Sequence, residues 1–490
     1  MKINEIVFIF IALSAFLHCE VTKCQERVYT LDDVLDLYSQ TDAYEANAAD
    51  SIIYANNRKL FKIQVLPTVS LSASTPNMNN SIIAVTQPDG SDKFVNRFYA
   101  NTNIALNVSQ LIPFTGGTMT LSSYLTRLDN FNPKRSISYN LNLFNISYSQ
   151  NLLGLNSFKW DKKTQEAQDK VQSVAIIQQR EGILEEIASR FFDLYAAQEQ
   201  DKIYQESLAL SEYLYDKSRK LYYAGKISRE DYIDAEIDLW QVRNSNPATE
   251  IEYAKSNIVS LLNLDGRDFS LFFDYTDILE SPAGYDVERI CNRVVAFSFN
   301  PQKNVENIQN EYELKKIKAS GTPSVTISMG GGLNSQSEIF KEIFGPYNSQ
   351  MSFGINMSIP LLNWGKYKLQ YKNKAESIRQ SELAYNAQVE AAISSCQYDL
   401  KNFLILKNSI SNEINMIDLQ KQRISLMKIN AEQGKIDVSD IIRARQELLQ
   451  SEQKVINDIR TLYSLVFKYR RLALVDLISG DVLFQVKEFR

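Results

Sequence analysis

The chain has 490 residues, of which 44% are hydrophobic and 23% charged, and a formal net charge of −5. That is length for two or three ordinary domains, and the mildly acidic balance shows no basic stripe for nucleic acid. The only histidine, His18, lies in a leading segment that reads as removable, so the remainder can hold no Ser-His-Asp triad, Cys-His pair or His-ligated zinc.

Residues 1–24 read as a secretory signal peptide. Ile6 to Leu17 is an apolar run with Lys2 before it, partly offset by Glu5, and it is too short to span a membrane. Cleavage after Cys24 leaves Gln25 first. Lipid attachment at Cys19 or Cys24 is the less favoured alternative, because His18 and Lys23 stand where a small residue is wanted. No later stretch reaches 18 apolar residues, so membrane residence would require a β-barrel. Glycine and proline number only 17 and 11, about half the usual share, which favours long uninterrupted elements.

Strand patterns come next. Val69, Leu71 and Ala73 alternate with Ser70, Ser72 and Ser74, and Ile104, Leu106 and Val108 alternate with Asn103, Ala105, Asn107 and Ser109. The first half offers four such segments, at about 67–75, 101–112, 117–128 and 137–150. Connections at 76–100 and 129–136 read as longer loops, and Pro113 to Gly117 as a short turn. Later segments fall at about 322–332 and 350–360, with Met351, Phe353, Ile355, Met357 and Ile359 on one face. Uncharged Ser, Asn, Thr and Gly on the other faces suit a water-filled lumen, and apolar outer faces suit lipid. A sheet packed on one side alternates in the same way. Six strands in one chain do not make a barrel, so several chains must contribute. Tyr99, Tyr124, Phe131, Tyr139 and Trp364 flank the strands as girdle candidates. Met351 and Met357 fall on the lipid side, which argues against soft-metal transport.

The helical segments are very long. Lys366 to Gln433 holds neither Gly nor Pro, and Ser157 to Ala224 holds only Gly182. Each would be roughly 100 Å long at the α-helical rise. Pro247 should break the helix returning from the first. Ile456 stands at the matching place in the second, which should run through. Cys291 and Cys396 read as buried small hydrophobes, with a single bridge as the alternative.

The chain is written twice. Ala224–Gln241 and Gln433–Gln450 share eight identities at one offset of 209 residues, among them Gly225/Gly434, Asp231/Asp440, Ala235/Ala444 and Leu239/Leu448. Leu152-Leu153 and Leu361-Leu362 keep that offset. Pro67-Thr-Val-Ser and Pro323-Ser-Val-Thr are 256 apart, so the first copy carries 47 extra residues in its strand region. The repeats are 25–280 and 281–475, followed by a tail at 476–490. In each, a glycine at 225 or 434 suits the left-handed position that ends a helix. Ser228 or Asp437 then caps the next helix, with Asp231 or Asp440 as the capping-box partner.

Three features together resemble the TolC-type outer-membrane efflux proteins. They are Ile359-Pro-Leu-Leu-Asn-Trp-Gly365 leading into a long helix, the duplicated Gly-x-Ile-x-x-x-Asp-x-x-x-Ala turn, and Tyr29-Thr-Leu-Asp-Asp-Val-Leu35. The resemblance covers essentially the whole mature chain. It implies a mixed fold: a membrane β-barrel plus a long α-helical barrel, duplicated within the chain, with a homotrimer sharing one β-barrel and one periplasmic α-helical tube. It implies a passive exit duct of a tripartite efflux or type I secretion system, lying in outer-membrane lipid and opened by a periplasmic adaptor and an inner-membrane pump. It also implies that the turns form a closed tip ringed by carboxylates. Asp440 matches one such gate position, and the next falls on Arg443. The first copy keeps both as Asp231 and Asp234. Arg443 is a candidate latch, pairing with Asp440 or with Asp234 of a neighbouring helix. Twelve strands per trimer is usual in the family, whereas six segments per chain would allow eighteen, and the sequence leaves open whether the extra hairpin joins the barrel. The competing reading is an exported coiled-coil scaffold or adhesin without channel activity. No cofactor, metal or catalytic group is expected, and Gly330-Gly-Gly332 lacks the following Lys-Ser or Lys-Thr of a phosphate loop, so it reads as a loop or strand end.

Overall fold

The computed structural model describes residues 27–264, 269–275, 286–432 and 437–483. The expected signal peptide with His18, Cys19 and Cys24, the repeat boundary at 280–281, Gly434 and the end of the tail lie outside the described residues.

Strand β1 (Arg27–Tyr29) leads into α1 (Leu31–Asp36), whose start is a capping box: Thr30 accepts from the Asp33 N–H and Asp33 accepts from the Thr30 N–H. Helix α2 (Asp42–Ile63) follows. Four strands come next, β2 (Thr68–Thr86), β3 (Asp92–Ile112), β4 (Gly117–Asn132) and β5 (Ser136–Asn151). Helix α3 (Ser157–Tyr223) is 67 residues long. The return helix breaks into α4 (Arg229–Asn244) and α5 (Ala248–Leu262), with Pro247 at the N-cap of the second piece. Strand β6 (Phe269–Leu271) pairs in parallel with β1. Helix α6 (Val287–Val294) passes through one π-helical turn into α7 (Asn300–Ser320), which has Pro301 in its first turn. Strands β7 (Ser324–Ser337) and β8 (Asn348–Ser358) precede α8 (Lys366–Glu432), again 67 residues, and α9 (Val438–Ala473), an unbroken 36. Trp364 and Gly365, both at positive φ, turn the chain from β8 into α8.

Contacts divide the chain into two units. One takes in residues through Asp50, Val174–Ser298 and Ala391 onward; the other is Ser51–Ser173 with Phe299–Glu390. Both units draw on both sequence repeats.

The second unit contains one antiparallel sheet of six strands, in the order β2-β3-β4-β5-β7-β8. Register carries its two faces across every strand. Val69, Val108, Leu121, Ile146, Gly331 and Met351 are successive partners in one row. In the next row Ser70, Asn107, Ser122, Asn145, Gly332 and Gln350 are partners. Residues one apart on a strand point to opposite faces, so in these rows one face is apolar and the other uncharged and polar, while farther up β4 the Arg127–Asp129 ion pair interrupts the apolar face. Among the described residues no helix is long and apolar enough to cross a membrane.

Three expectations need correction here. The supposed loops at 76–100 and 129–136 are mostly strand. Partners continue from Asn77↔Asn101 to Thr86↔Asp92, because backbone pairing of β2 with β3 does not depend on the polar side chains there. Only Ser74–Asn77 is irregular, where Pro76 lacks an N–H for the ladder. The β4–β5 turn is likewise reduced to residues 133–135. Gly330–Gly332 is no loop or strand end: it lies inside β7, and a Cβ at Gly332 would overlap the Phe144 carbonyl. Of the girdle candidates, Phe131 packs on Phe98 at 4.9 Å and Tyr139 on Phe340 at 5.3 Å, so each has an ordinary ring contact.

Beside the sheet, α2, α3 and α7 pack through rings. Phe61 stacks on Phe158 at 5.6 Å, and Trp160 meets Tyr312 at 5.6 Å. Glu306 on α7 receives hydrogen bonds from Ser381 and Lys303, which hold its carboxyl below the usual glutamate range, the Ser381 bond contributing most.

In the first unit, Phe192, Tyr463 and Phe273 form a mutual ring cluster, with Phe192 and Tyr463 at 4.7 Å and Phe273 at 5.1 and 5.2 Å from them. Cys291 on α6 and Cys396 on α8 form a disulfide with Cα atoms 5.7 Å apart, which replaces their reading as free buried hydrophobes. Packing of α6 on α8 brings together residues that spacing alone could not pair. The end of α9 is tied by ion pairs: Arg470 to Glu181 at 3.0 Å, Arg471 to Glu185 at 2.6 Å, and Lys468 to Asp399 at 2.6 Å.

Candidate functional site

The two repeated turns fall in the first unit, where α3 meets α4 and α8 approaches α9. In the first turn Gly225 has φ +66°. Its N–H donates to the Tyr222 carbonyl at 2.9 Å, and the Lys226 N–H donates to Leu221 at 2.9 Å, which is the Schellman way of ending a helix. The chain then enters α4 through Ser228, whose hydroxyl accepts from the Asp231 N–H at 3.1 Å and donates to the Asp231 carboxylate at 2.7 Å. The Ser228 N–H also donates to Asp231, completing a capping box. Ser228→Ala removes that cap and should cost about 1 kcal/mol locally. Faster hydrogen exchange at the first turn of α4 measures it, and an unchanged rate there would contradict the assignment.

The second turn differs. Gly434 lies outside the described residues. Asp437 occupies the N-cap of α9 but accepts no side-chain capping bond, contrary to the expectation that it would form a box with Asp440. Both bonds of a capping box run from backbone N–H groups to side-chain oxygens; the Ser228 hydroxyl brings no charge beside Asp231 and donates to it as well, whereas two carboxylates at one cap repel. Asp440 lies instead 3.7 Å from Arg443, one turn along the same helix. Asp234, whose counterpart in the second copy is Arg443, is exposed on α4. The Asp231–Asp234 and Asp440–Arg443 pairs share no hydrogen bond or ion pair among the described residues.

Two features of this end were not anticipated from sequence. One is a tyrosine cluster: Tyr232 stacks on Tyr222 at 5.3 Å and its hydroxyl lies 3.2 Å from that of Tyr215. That hydrogen bond, helped by burial and by Glu236, pushes the Tyr232 phenol up to about 12. The Tyr215 and Tyr222 spacing of seven on one helix was the available signal. Nearby, Lys220 beside Asp216 holds that carboxyl below its ordinary value.

The second is a buried ion pair. Arg445 of α9 pairs with Asp238 of α4, and both are almost fully buried. Arg445 also donates to the Ser211 hydroxyl and the Ser207 carbonyl of α3, while Ser211 donates to Asp238 at 2.8 Å. Burial pulls the Arg445 guanidinium below its ordinary value and Asp238 opposes that pull; an arginine starts high enough to stay charged. The network adjoins an apolar cluster that includes Leu210, Leu214, Ile424, Val438 and Ile441. It therefore fastens helices of the two repeats to each other. At the 209-residue offset Asp238 corresponds to Glu447, which is exposed and pairs with Arg423 at 3.0 Å, so the duplication does not repeat this link.

Among the described residues no group of three or more His, Cys, Asp or Glu is placed to hold a metal ion. The arrangement has two helical turns carrying charge, fixed by a buried link, and a separate sheet with a polar and an apolar face.

A family profile described as outer membrane efflux protein matches residues 87–266 and 307–464. A sequence search of curated proteins gives no significant match. Among solved structures, the outer-membrane channel OprN is 14% identical, with 93% of this chain and 91% of that one covered at a TM-score of 0.61. CmeC of Campylobacter jejuni gives 14% identity, coverage of 93% and 87%, and 0.61. VceC of Vibrio cholerae gives 12%, coverage of 90% and 96%, and 0.60. These likenesses share the fold, and the profile spans both repeats.

Proposed function

Because the chain belongs to the outer membrane efflux protein family, we propose that three copies assemble into a passive exit duct served by a periplasmic adaptor and an inner-membrane pump. The family is one of outer-membrane channels rather than enzymes. The observation that carries the reading is the sheet: near the helical ends of all six strands, its rows put uncharged polar residues on one face and apolar residues on the other. Such a sheet suits a wall between water and lipid. The duplicated 67-residue helices supply the material for a periplasmic tube. Residues 1–24 serve as the export signal, 25–280 and 281–475 as the two repeats, and 476–490 as the tail.

The tip gate in this reading is built from Asp231, Asp234, Asp440 and Arg443, on turns set by Gly225, Ser228, Gly434 and Asp437. Threefold symmetry would bring like carboxylates together, where they repel one another and attract cations. Arg443 replaces one acidic ring by a cationic one, and it relieves the repulsion at Asp440. Purified protein in planar bilayers should conduct ions, with Arg443→Ala raising the conductance of the resting channel severalfold. No conductance from folded trimers would overturn the duct, and an Arg443→Ala channel identical to the parent in conductance and export would remove Arg443 from the gate.

A further inference from the structure

Strands β2 and β8 end the sheet, and they do not pair with each other. Each leaves a row of backbone N–H and C=O groups open, which lipid cannot satisfy. The same edges carry exposed apolar side chains, Leu71 at 73% and Met351 at 92%. One chain cannot close on itself, because even eight strands enclose only enough room for side chains.

The two edges are complementary. Six consecutive antiparallel strands leave β8 running opposite to β2, so β8 of one copy meets β2 of the next in antiparallel sense. Odd-numbered residues of β8 and of β2 below Pro76 lie on the apolar face, since Val69 and Met351 share one row. Both strands also begin or end at the helical side beside a proline, Pro67 before β2 and Pro360 after β8.

Register sets the stagger. From Thr68, the first residue of β2, successive partners are Ser109, Thr120, Ser147, Gly330 and Ser352. Ser352 lies six residues before the end of β8 at Ser358. The climb is steady, because Ser109 is three residues from the end of β3 and Gly330 is six from the start of β7. If the strand ends stand level, each copy advances the register by six residues over six strands. A barrel whose stagger equals its strand number has strands tilted by about 36°, inside the usual range.

Resting on the trimeric duct proposed above, we infer that β8 of each copy pairs with β2 of the next, Thr68 beside Ser358 and Leu71 beside Ile355, and that three copies close a barrel of eighteen strands. The 47 additional residues of the first repeat are thereby part of the pore wall. Barrel diameter grows roughly linearly with strand number, so this lumen is about 1.5-fold wider than a twelve-stranded one. The pairing uses the lower part of β2. From Ser81 and Arg97 upward, β2 and β3 continue as a two-stranded arm, beyond the pairing of β3 with β4 and beyond the eleven residues that β8 offers.

The test is disulfide cross-linking of the full chain in outer membranes, with Leu71→Cys and Ile355→Cys in the same polypeptide. Oxidation should yield a covalent trimer in denaturing gels, with neither engineered thiol left to react with a maleimide, because a closed ring consumes both. Leu71→Cys with Phe353→Cys, or with Met357→Cys, should cross-link at least tenfold less. Preferred linkage in either of those two would overturn the register. Trimers that remain intact by light scattering yet form no cross-link with any of the three pairs would overturn edge-to-edge closure while leaving the duct standing. Absence of trimers by both methods would instead strike at the duct reading itself.

Discussion

Replacing Asp238 by alanine should destabilise the chain by about 3–5 kcal/mol, among the largest effects of any single substitution in it. The reason is the position of Arg445, whose guanidinium is almost fully buried with Asp238 and the oxygens of Ser211 and Ser207 as its hydrogen-bonding partners. Removing the carboxylate leaves a buried cation with two neutral partners. Replacing both members of the pair is different in kind, since Arg445→Met beside Asp238→Ala removes the charge that needs compensation. Denaturation of the purified protein followed by intrinsic fluorescence should therefore show Asp238→Ala far below the parent and the double variant recovering most of the loss. A single variant as stable as the parent would contradict the assignment of this pair as the link between α4 and α9.

The second large effect is at the disulfide. Cys291 and Cys396 are 105 residues apart, and a cross-link closing a loop near that length restricts the unfolded chain by about 4–5 kcal/mol as an upper figure. Cys291→Ser, Cys396→Ser or prior reduction should each lower the denaturation midpoint by a similar amount. The double variant should lie no lower than either single one, because both remove the same bond. An oxidised protein whose midpoint does not move on reduction would contradict the bridge. An exported protein meets the oxidising conditions in which such a bond persists.

The sheet was legible because its chemistry is local. Alternation such as Met351, Phe353, Ile355 and Met357 specifies a strand and its two faces from a few neighbouring residues. Legibility failed at the upper arm of β2 and β3. Asn77, Asn79, Asn80 and Ser81 read as loop residues, yet they keep their partners Asn101, Tyr99, Phe98 and Arg97 because pairing already started below propagates along the ladder. Long helices were legible from the absence of breakers, and the break at Pro247 from the presence of one. At the tip, Gly225 and Ser228 were readable because each does its work within about five residues of sequence. Asp437 was not, since Ser228 and Asp437 are both common N-cap residues, and only the second places a carboxylate beside the carboxylate three residues on. The Arg445–Asp238 pair and the Cys291–Cys396 bond join positions 207 and 105 residues apart. Only the packing of helices from the two repeats creates them, and the duplication gave no hint because the matching residues at its offset are different.

The central claim is that this chain forms a trimeric outer-membrane duct. Electron microscopy of particles extracted from outer membranes in mild detergent tests it most directly. The expected result is a threefold hollow particle with a detergent-covered barrel continuing into a helical tube. A solid rod without a detergent band, or protein recovered only in the soluble fraction, would contradict it.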